Sequence, residues 1–169
     1  MQNSVILSIG TNKGDKLANI KNCFRMIQSQ IGNVIFVSNL YLSPSWGFES
    51  DDFYNCALLL YTDKTAEKVL EGLQQIEKNL GRTEKTGGGY EARTIDIDIV
   101  DFNGQLINIH NLTIPHPQLH KRLFVLLPLK DVSSNYVHPV FQKNIDQLLD
   151  ECEDKGSCES ISELELPEK

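Results

Sequence analysis

Arg93-Thr94-Ile95-Asp96-Ile97-Asp98-Ile99-Val100 alternates isoleucine with aspartate from Ile95 to Ile99. A strand turns successive side chains to opposite faces, so the three isoleucines enter a core while the two carboxylates share the other face. Residues two apart on a strand lie about 6.6–7 Å apart. Carboxylates at that spacing can jointly hold two cations about 3.5–4 Å apart. Hard oxygen ligands without a Cys or His cluster favour Mg2+ or Mn2+ over Zn2+. An amphipathic edge strand with two solvated aspartates is the plain alternative, and this stretch alone does not choose between them.

The 169 residues predict one domain, and the 40% hydrophobic fraction suits a globular core. The formal charge is −7, of which −4 falls in the segment from Glu153 to Lys169. A mildly acidic body offers no electrostatic footprint for nucleic acid. The expected division is a single domain over residues 1–152 and an acidic, disordered tail over 153–169. Cys23, Cys56, Cys152 and Cys158 have neither metal-type nor redox-type spacing. No run approaches the length of a membrane span, and the start lacks a basic, apolar leader. A cytoplasmic protein without nucleic-acid or membrane partners is the expectation.

Residues 4–9 form a β-branched apolar run that predicts a first strand. Asp15 can cap a helix over residues 15–31, with Leu17, Ile20, Phe24, Ile27 and Ile31 inward. Residues 34–42 return to strand composition and end at Ser43-Pro44. Residues 53–61 predict the third strand, and Thr65 can cap a helix whose stripe runs through Val69, Leu73 and Ile76 to Leu80, with Gly81 as its stop. The order is β-α-β-β-α-β. It predicts an α+β, ferredoxin-like βαββαβ core with an antiparallel sheet, plus a C-terminal hairpin and short helices. The hairpin is expected to turn at Asn103-Gly104. A short helical stretch after Pro117, an apolar segment from Phe124 to Leu129 and a last helix marked by Ile145, Leu148 and Leu149 complete the chain.

Arg82 and Arg93 bracket a loop with three consecutive glycines, Gly87 to Gly89, which carry a large ordering cost. Arginines at both ends and Lys85 within suit a lid closing on polyphosphate, or a plain surface loop. Glu77 occupies a slot in an apolar stripe, where a salt bridge to Arg82 or Lys78 or a ligand contact would compensate it. Asn55, beside Phe53, can meet the edge of a heterocycle while aromatics stack on its face. His116 stands between two prolines near Lys121 and Arg122, as a structural residue or part of a phosphate-facing patch. There is no P-loop signature.

These residues, in this order, resemble the 6-hydroxymethyl-7,8-dihydropterin pyrophosphokinases. Ile9-Gly10-Thr11-Asn12, Phe53-Tyr54-Asn55, the Arg93–Asp98 segment and Leu112-Thr113-Ile114-Pro115-His116-Pro117 carry the resemblance. It implies transfer of pyrophosphate from ATP, as co-substrate, to the hydroxymethyl oxygen of the dihydropterin, releasing AMP, in tetrahydrofolate biosynthesis. By that resemblance Asp96 and Asp98 hold two Mg2+ ions, and Arg82 and Arg93 are the catalytic arginines. Phe53 and Phe124 sandwich the pterin, with Asn55 and the segment Ser43, Pro44, Ser45 and Trp46 reading its edge. Gln74, Glu77, Tyr90, Ile99, Thr113, His116 and Arg122 line the ATP site. Glu84, Gly89 and Asn111 depart from the family's basic residues, which implies either a lower phosphate affinity or compensation by Lys85 and Lys121. A non-catalytic ferredoxin-like module that binds small molecules is the rival reading.

Overall fold

The computed structural model describes residues 2–44, 52–81 and 95–169. The alternating stretch becomes strand β5 (Asp96–Phe102), which lies antiparallel to β1 (Asn3–Thr11). Gly10 stands opposite Asp96, and Ser8 opposite Asp98. On its other side β1 pairs antiparallel with β4 (Phe53–Thr62), setting Gly10 opposite Asn55 and Ser8 opposite Ala57. Strands β2 (Asn33–Val37) and β3 (Leu40–Ser43) both pair with β4, and β8 (Glu159–Ser162) adds to β3. The order across the sheet is β5-β1-β4-β3-β8, with every pairing antiparallel.

Ile95, Ile97 and Ile99 are all buried, no more than 4% exposed. A slip of one residue would place all three in water and forfeit roughly 1.5–3 kcal/mol for each. Their face is covered by α1 (Lys16–Gln30) and α2 (Ala66–Asn79). Asp15 accepts from the Ala18 amide at 3.0 Å to start the first helix. Thr65 accepts from the Lys68 amide at 3.3 Å to start the second. Ile20, Phe24 and Ile27 from one helix and Val69, Leu73 and Ile76 from the other fill this core.

On the opposite face, the described residues form a second core over part of the sheet. Helices α3 (Leu123–Val132) and α4 (Ile145–Glu151), with a 3-10 turn at Leu119–Lys121, pack over Ile6, Ala57 and Val100. Val100 shares the face of Asp96 and Asp98 by plain alternation and so joins this second core, and it sits at a bulge that turns Phe102 back to the first core. The register passes from Leu7 opposite Ile99 to Ile6 opposite Asp101, leaving Val100 as the extra residue. Its carbonyl accepts the His116 amide at 3.1 Å. Beside the first turn of α3, the strand positions Ser8, Gly10, Asn55, Asp96 and Asp98 line an open cleft.

Three expectations are corrected, and one open segment gains a structure. The strand expected over residues 34–42 is broken at Ser38-Asn39. There the Ser38 hydroxyl accepts from the Ala57 amide at 2.8 Å and donates to the Asn39 carbonyl at 2.7 Å, standing in for ladder bonds. Asn103-Gly104 does turn the chain, both with positive φ, but it does not join paired strands. The hairpin instead links β6 (Ile107–Ile109) to β7 (Leu112–Ile114) across His110-Asn111, with Asn111 at φ +66°. The apolar segment from Phe124 is helical despite Pro128, which removes one amide from the helix without ending it. The acidic tail, expected to be disordered, returns to the sheet as β8, with Leu40 opposite Ser162 and Tyr41 opposite Ser160.

Candidate active site

The cleft is lined by Ser8, Gly10, Ser43, Pro44, Phe53, Asn55, Asp96, Asp98, Arg122 and Phe124. Strand pleating places most of them. Asn55 and Phe53 alternate with inward residues of β4, Gly10 and Ser8 stand beside them on β1, and Ser43 faces Phe53 from β3. Asn55 is 3% exposed, and its Nδ2 donates to Ser43 Oγ at 2.6 Å. The other amide atom, Oδ1, lies 3.0 Å from where a Cβ on Gly10 would stand. Glycine is therefore what lets this amide lie against the strand.

The acidic side of the cleft is built differently. Asp96 and Asp98 are partly exposed on the face opposite the isoleucines. His116 Nε2 is 3.8 Å from Asp98 Oδ2. Its Nδ1 accepts from the Gln118 amide at 3.1 Å, so in the neutral ring the proton belongs on Nε2, toward Asp98. Burial, and then the positive Arg122, hold the imidazole pKa below its usual value, while Asp96 opposes them. The Arg122 guanidinium lies 5.6 Å over the Phe124 ring, a cation–π arrangement at the mouth of α3.

Of the residues singled out in the sequence, the cleft brings together Ser43, Pro44, Phe53, Asn55, Asp96, Asp98, Arg122 and Phe124. His116 adjoins it through Asp98, and with Thr113 it lines a second recess beside the β6–β7 hairpin. The Ile99 side chain belongs to the core. Glu77 is buried on α2, and Gln74 is exposed on the same helix. Ser45, Trp46, Arg82, Lys85, Tyr90 and Arg93 lie outside the described residues. Sequence reasoning assigned no site role to Ser8 or Gly10. Their signal was present: two small residues alternate with Leu7 and Ile9 on the first strand.

No described group of three His, Cys, Asp or Glu side chains is arranged to hold a metal ion. The Asp96–Asp98 donor set fits Mg2+, which takes one or two carboxylates and completes its shell with water and substrate phosphate oxygens.

Comparison with known proteins points the same way. A family profile described as 7,8-dihydro-6-hydroxymethylpterin-pyrophosphokinase matches residues 6–134. The chain is 38% identical over 138 residues to the 2-amino-4-hydroxy-6-hydroxymethyldihydropteridine pyrophosphokinase of Porphyromonas gingivalis, covering 80% of this chain and 93% of that protein. It is 31% identical over 156 residues to the protein of the same name from Aquifex aeolicus, covering 92% and 96%. A folic acid synthesis protein of Dictyostelium discoideum is 42% identical over 139 residues, 81% of this chain but 20% of that much longer protein. Among solved structures, wild-type HPPK-DHPS of Plasmodium falciparum with pteroate superposes with a TM-score of 0.73 at 18% identity. That superposition covers 89% of this chain and 42% of the other, and it speaks to fold alone.

Fold, cleft and matches define the class: a transferase of folate biosynthesis. This chain belongs to the 7,8-dihydro-6-hydroxymethylpterin-pyrophosphokinase family.

Proposed function

We propose that this chain transfers the terminal pyrophosphate of ATP to 6-hydroxymethyl-7,8-dihydropterin. The hydroxymethyl oxygen forms a bond to the β-phosphorus, the bond from that phosphorus to the bridging oxygen of the α-phosphate breaks, and AMP leaves as the hydroxyl proton is lost. The observation that carries this reading is one cleft that joins an acidic strand to a pair of rings. Asp96 and Asp98 line it from β5, and Phe53, Asn55 and Phe124 supply two rings and an amide.

The pterin ring stacks between Phe53 and Phe124, and Asn55 with Ser43 and Pro44 meets its polar edge. Asp96 and Asp98 hold Mg2+, read as two ions, which neutralises phosphate charge when bound. Arg122 and the Nε2 proton of His116 are placed to contact phosphate oxygens. Gln74, Glu77, Ile99 and Thr113 belong to the nucleotide side on the strength of the family resemblance. The same resemblance assigns Arg82 and Arg93 to the phosphates, Tyr90 to ATP, and Ser45 and Trp46 to the pterin. Positioning and charge stabilisation supply most of the acceleration in phosphoryl transfer.

The sheet order supports reading the core as ferredoxin-like, and the net charge of −7 argues against nucleic acid as a partner. A cytoplasmic monomer goes with this reading. Product identity is the test. AMP together with the dihydropterin diphosphate, formed from ATP and 6-hydroxymethyl-7,8-dihydropterin in Mg2+, is expected. ADP would mark an ordinary kinase, and ligand binding without turnover would mark the non-catalytic module.

A further inference from the structure

The C-terminal segment lies outside the stretch matched by the family profile, which ends at residue 134. It nonetheless returns to both walls of the cleft. On one side β8 pairs along β3, with Leu42 opposite Glu159, immediately before Ser43 and Pro44 enter the cleft wall. On the other, Asp154 Oδ2 accepts the Leu123 amide at 3.1 Å. Leu123 is the first residue of α3, and its neighbours Arg122 and Phe124 both line the cleft.

This second contact meets a real need. The residue at the start of α3, Arg122, makes no side-chain cap, so the helix begins without the local acceptor that Asp15, Thr65 and Asn144 give the other three helices. Asp154 supplies that acceptor from a distant part of the chain, and its negative charge complements the helix dipole there. Its own geometry is fixed: Oδ1 accepts the Gly156 amide at 2.9 Å while Oδ2 faces Leu123. The segment between the cap and the strand is short, so the two contacts act together.

We infer that residues 154–162 form a strap that spans the two walls of the pterin cleft, with Asp154 a positioning residue that sets Phe124 against the wall bearing Ser43 and Phe53. This rests on the proposed assignment of that cleft to the pterin. Asp154 touches no substrate; it acts through the first turn of α3. Its loss therefore loosens one wall of the ring slot and leaves the acidic strand untouched.

The test uses the full chain and direct binding. Titration of 6-hydroxymethyl-7,8-dihydropterin in the presence of α,β-methylene-ATP and Mg2+ is compared for wild type, Asp154→Ala and Asp154→Asn. Asp154→Ala should weaken dihydropterin binding about fivefold, the scale expected of a lost helix cap. Nucleotide affinity should stay unchanged, and Asp154→Asn, an equally good cap, should restore most of the loss. Equal effects on both ligands, or none on the dihydropterin, overturn the inference. Should Asp154→Ala fail to fold, amide exchange in the unmodified protein decides. Dihydropterin should slow exchange at Leu123 and across residues 159–162, and unchanged exchange there overturns the strap. If wild type binds no dihydropterin, the reading of the cleft falls along with it; if wild type binds and Asp154→Ala matches it, only the role of Asp154 falls.

Discussion

The Asn55 amide donates to Ser43 Oγ at 2.6 Å across the β3–β4 pairing, and this bond fixes which way the amide faces. In that orientation Oδ1 lies beside Gly10 as an acceptor suited to an N–H on the edge of a heterocycle, and Nδ2 keeps a second N–H to donate. Ser43→Ala removes the acceptor and leaves a buried donor without this partner, at a cost of roughly 1–3 kcal/mol in stability. The amide can then rotate, so dihydropterin binding should weaken about tenfold while ATP binding holds. Calorimetric titration of each ligand separates these effects, and parallel losses for both would show that Ser43 serves the fold alone.

Gly10 gives a sharper version of the same question. A Cβ there would stand 3.0 Å from Asn55 Oδ1 and 3.8 Å from Phe53, against two residues of the proposed pterin wall. Gly10→Ala should therefore displace the Asn55 amide and weaken dihydropterin binding by about tenfold or more, with a smaller loss of stability. Paired measurements of melting temperature and ligand affinity test this. Affinity that is unaltered in a folded variant would remove Gly10 from the site.

Asp98 is partly exposed, so exchanging its carboxylate for an amide removes a charge without opening a cavity. Asp98→Asn should lower kcat at least about 10³-fold, the scale of losing a charge contact in phosphoryl transfer. Its melting temperature should stay close to wild type. The readout is AMP release in saturating Mg2+, with Mg2+ titration of the nucleotide complex alongside it. Wild-type turnover in this variant would refute the metal assignment.

How far these features were legible depends on how local their causes are. The isoleucine–aspartate alternation is complete within one strand, and the buried isoleucines with outward carboxylates follow from it directly. The helix caps at Asp15 and Thr65 are equally local, and both form the expected bonds. The bulge at Val100 is not local: it depends on pairing with Ile6 and Leu7 and on His116 taking the freed carbonyl. The break at Ser38 was hidden because a serine within an apolar run gives no sign that its hydroxyl will replace ladder bonds. The return of the acidic tail was hidden for the same reason, since β8 is exposed along its length and its register is set by β3. At the cleft, the residues with distinctive chemistry stood out, whereas Ser8 and Gly10 matter through the space they leave.

His138 makes stability depend on pH in a direction that the structure sets. It is 3% exposed, and its Nδ1 accepts the amides of Val140 and Phe141, each at 3.2 Å. The ring also stacks on Phe141 with centroids 4.2 Å apart. Protonation at Nδ1 would end both bonds. Burial, and then the neighbouring His120, hold its pKa below the ordinary histidine value. The unfolded chain therefore takes up this proton at a higher pH than the folded one. The resulting stability is complete above the unfolded pKa of about 6.5 and declines as pH falls below it. His116 and His120 are shifted the same way, so they add to the wild-type slope. His138→Asn keeps an acceptor for the two amides and cannot titrate. Melting temperature followed from pH 7.5 to 5.0 should fall less steeply in this variant than in wild type, and identical slopes would show that His138 keeps its ordinary pKa.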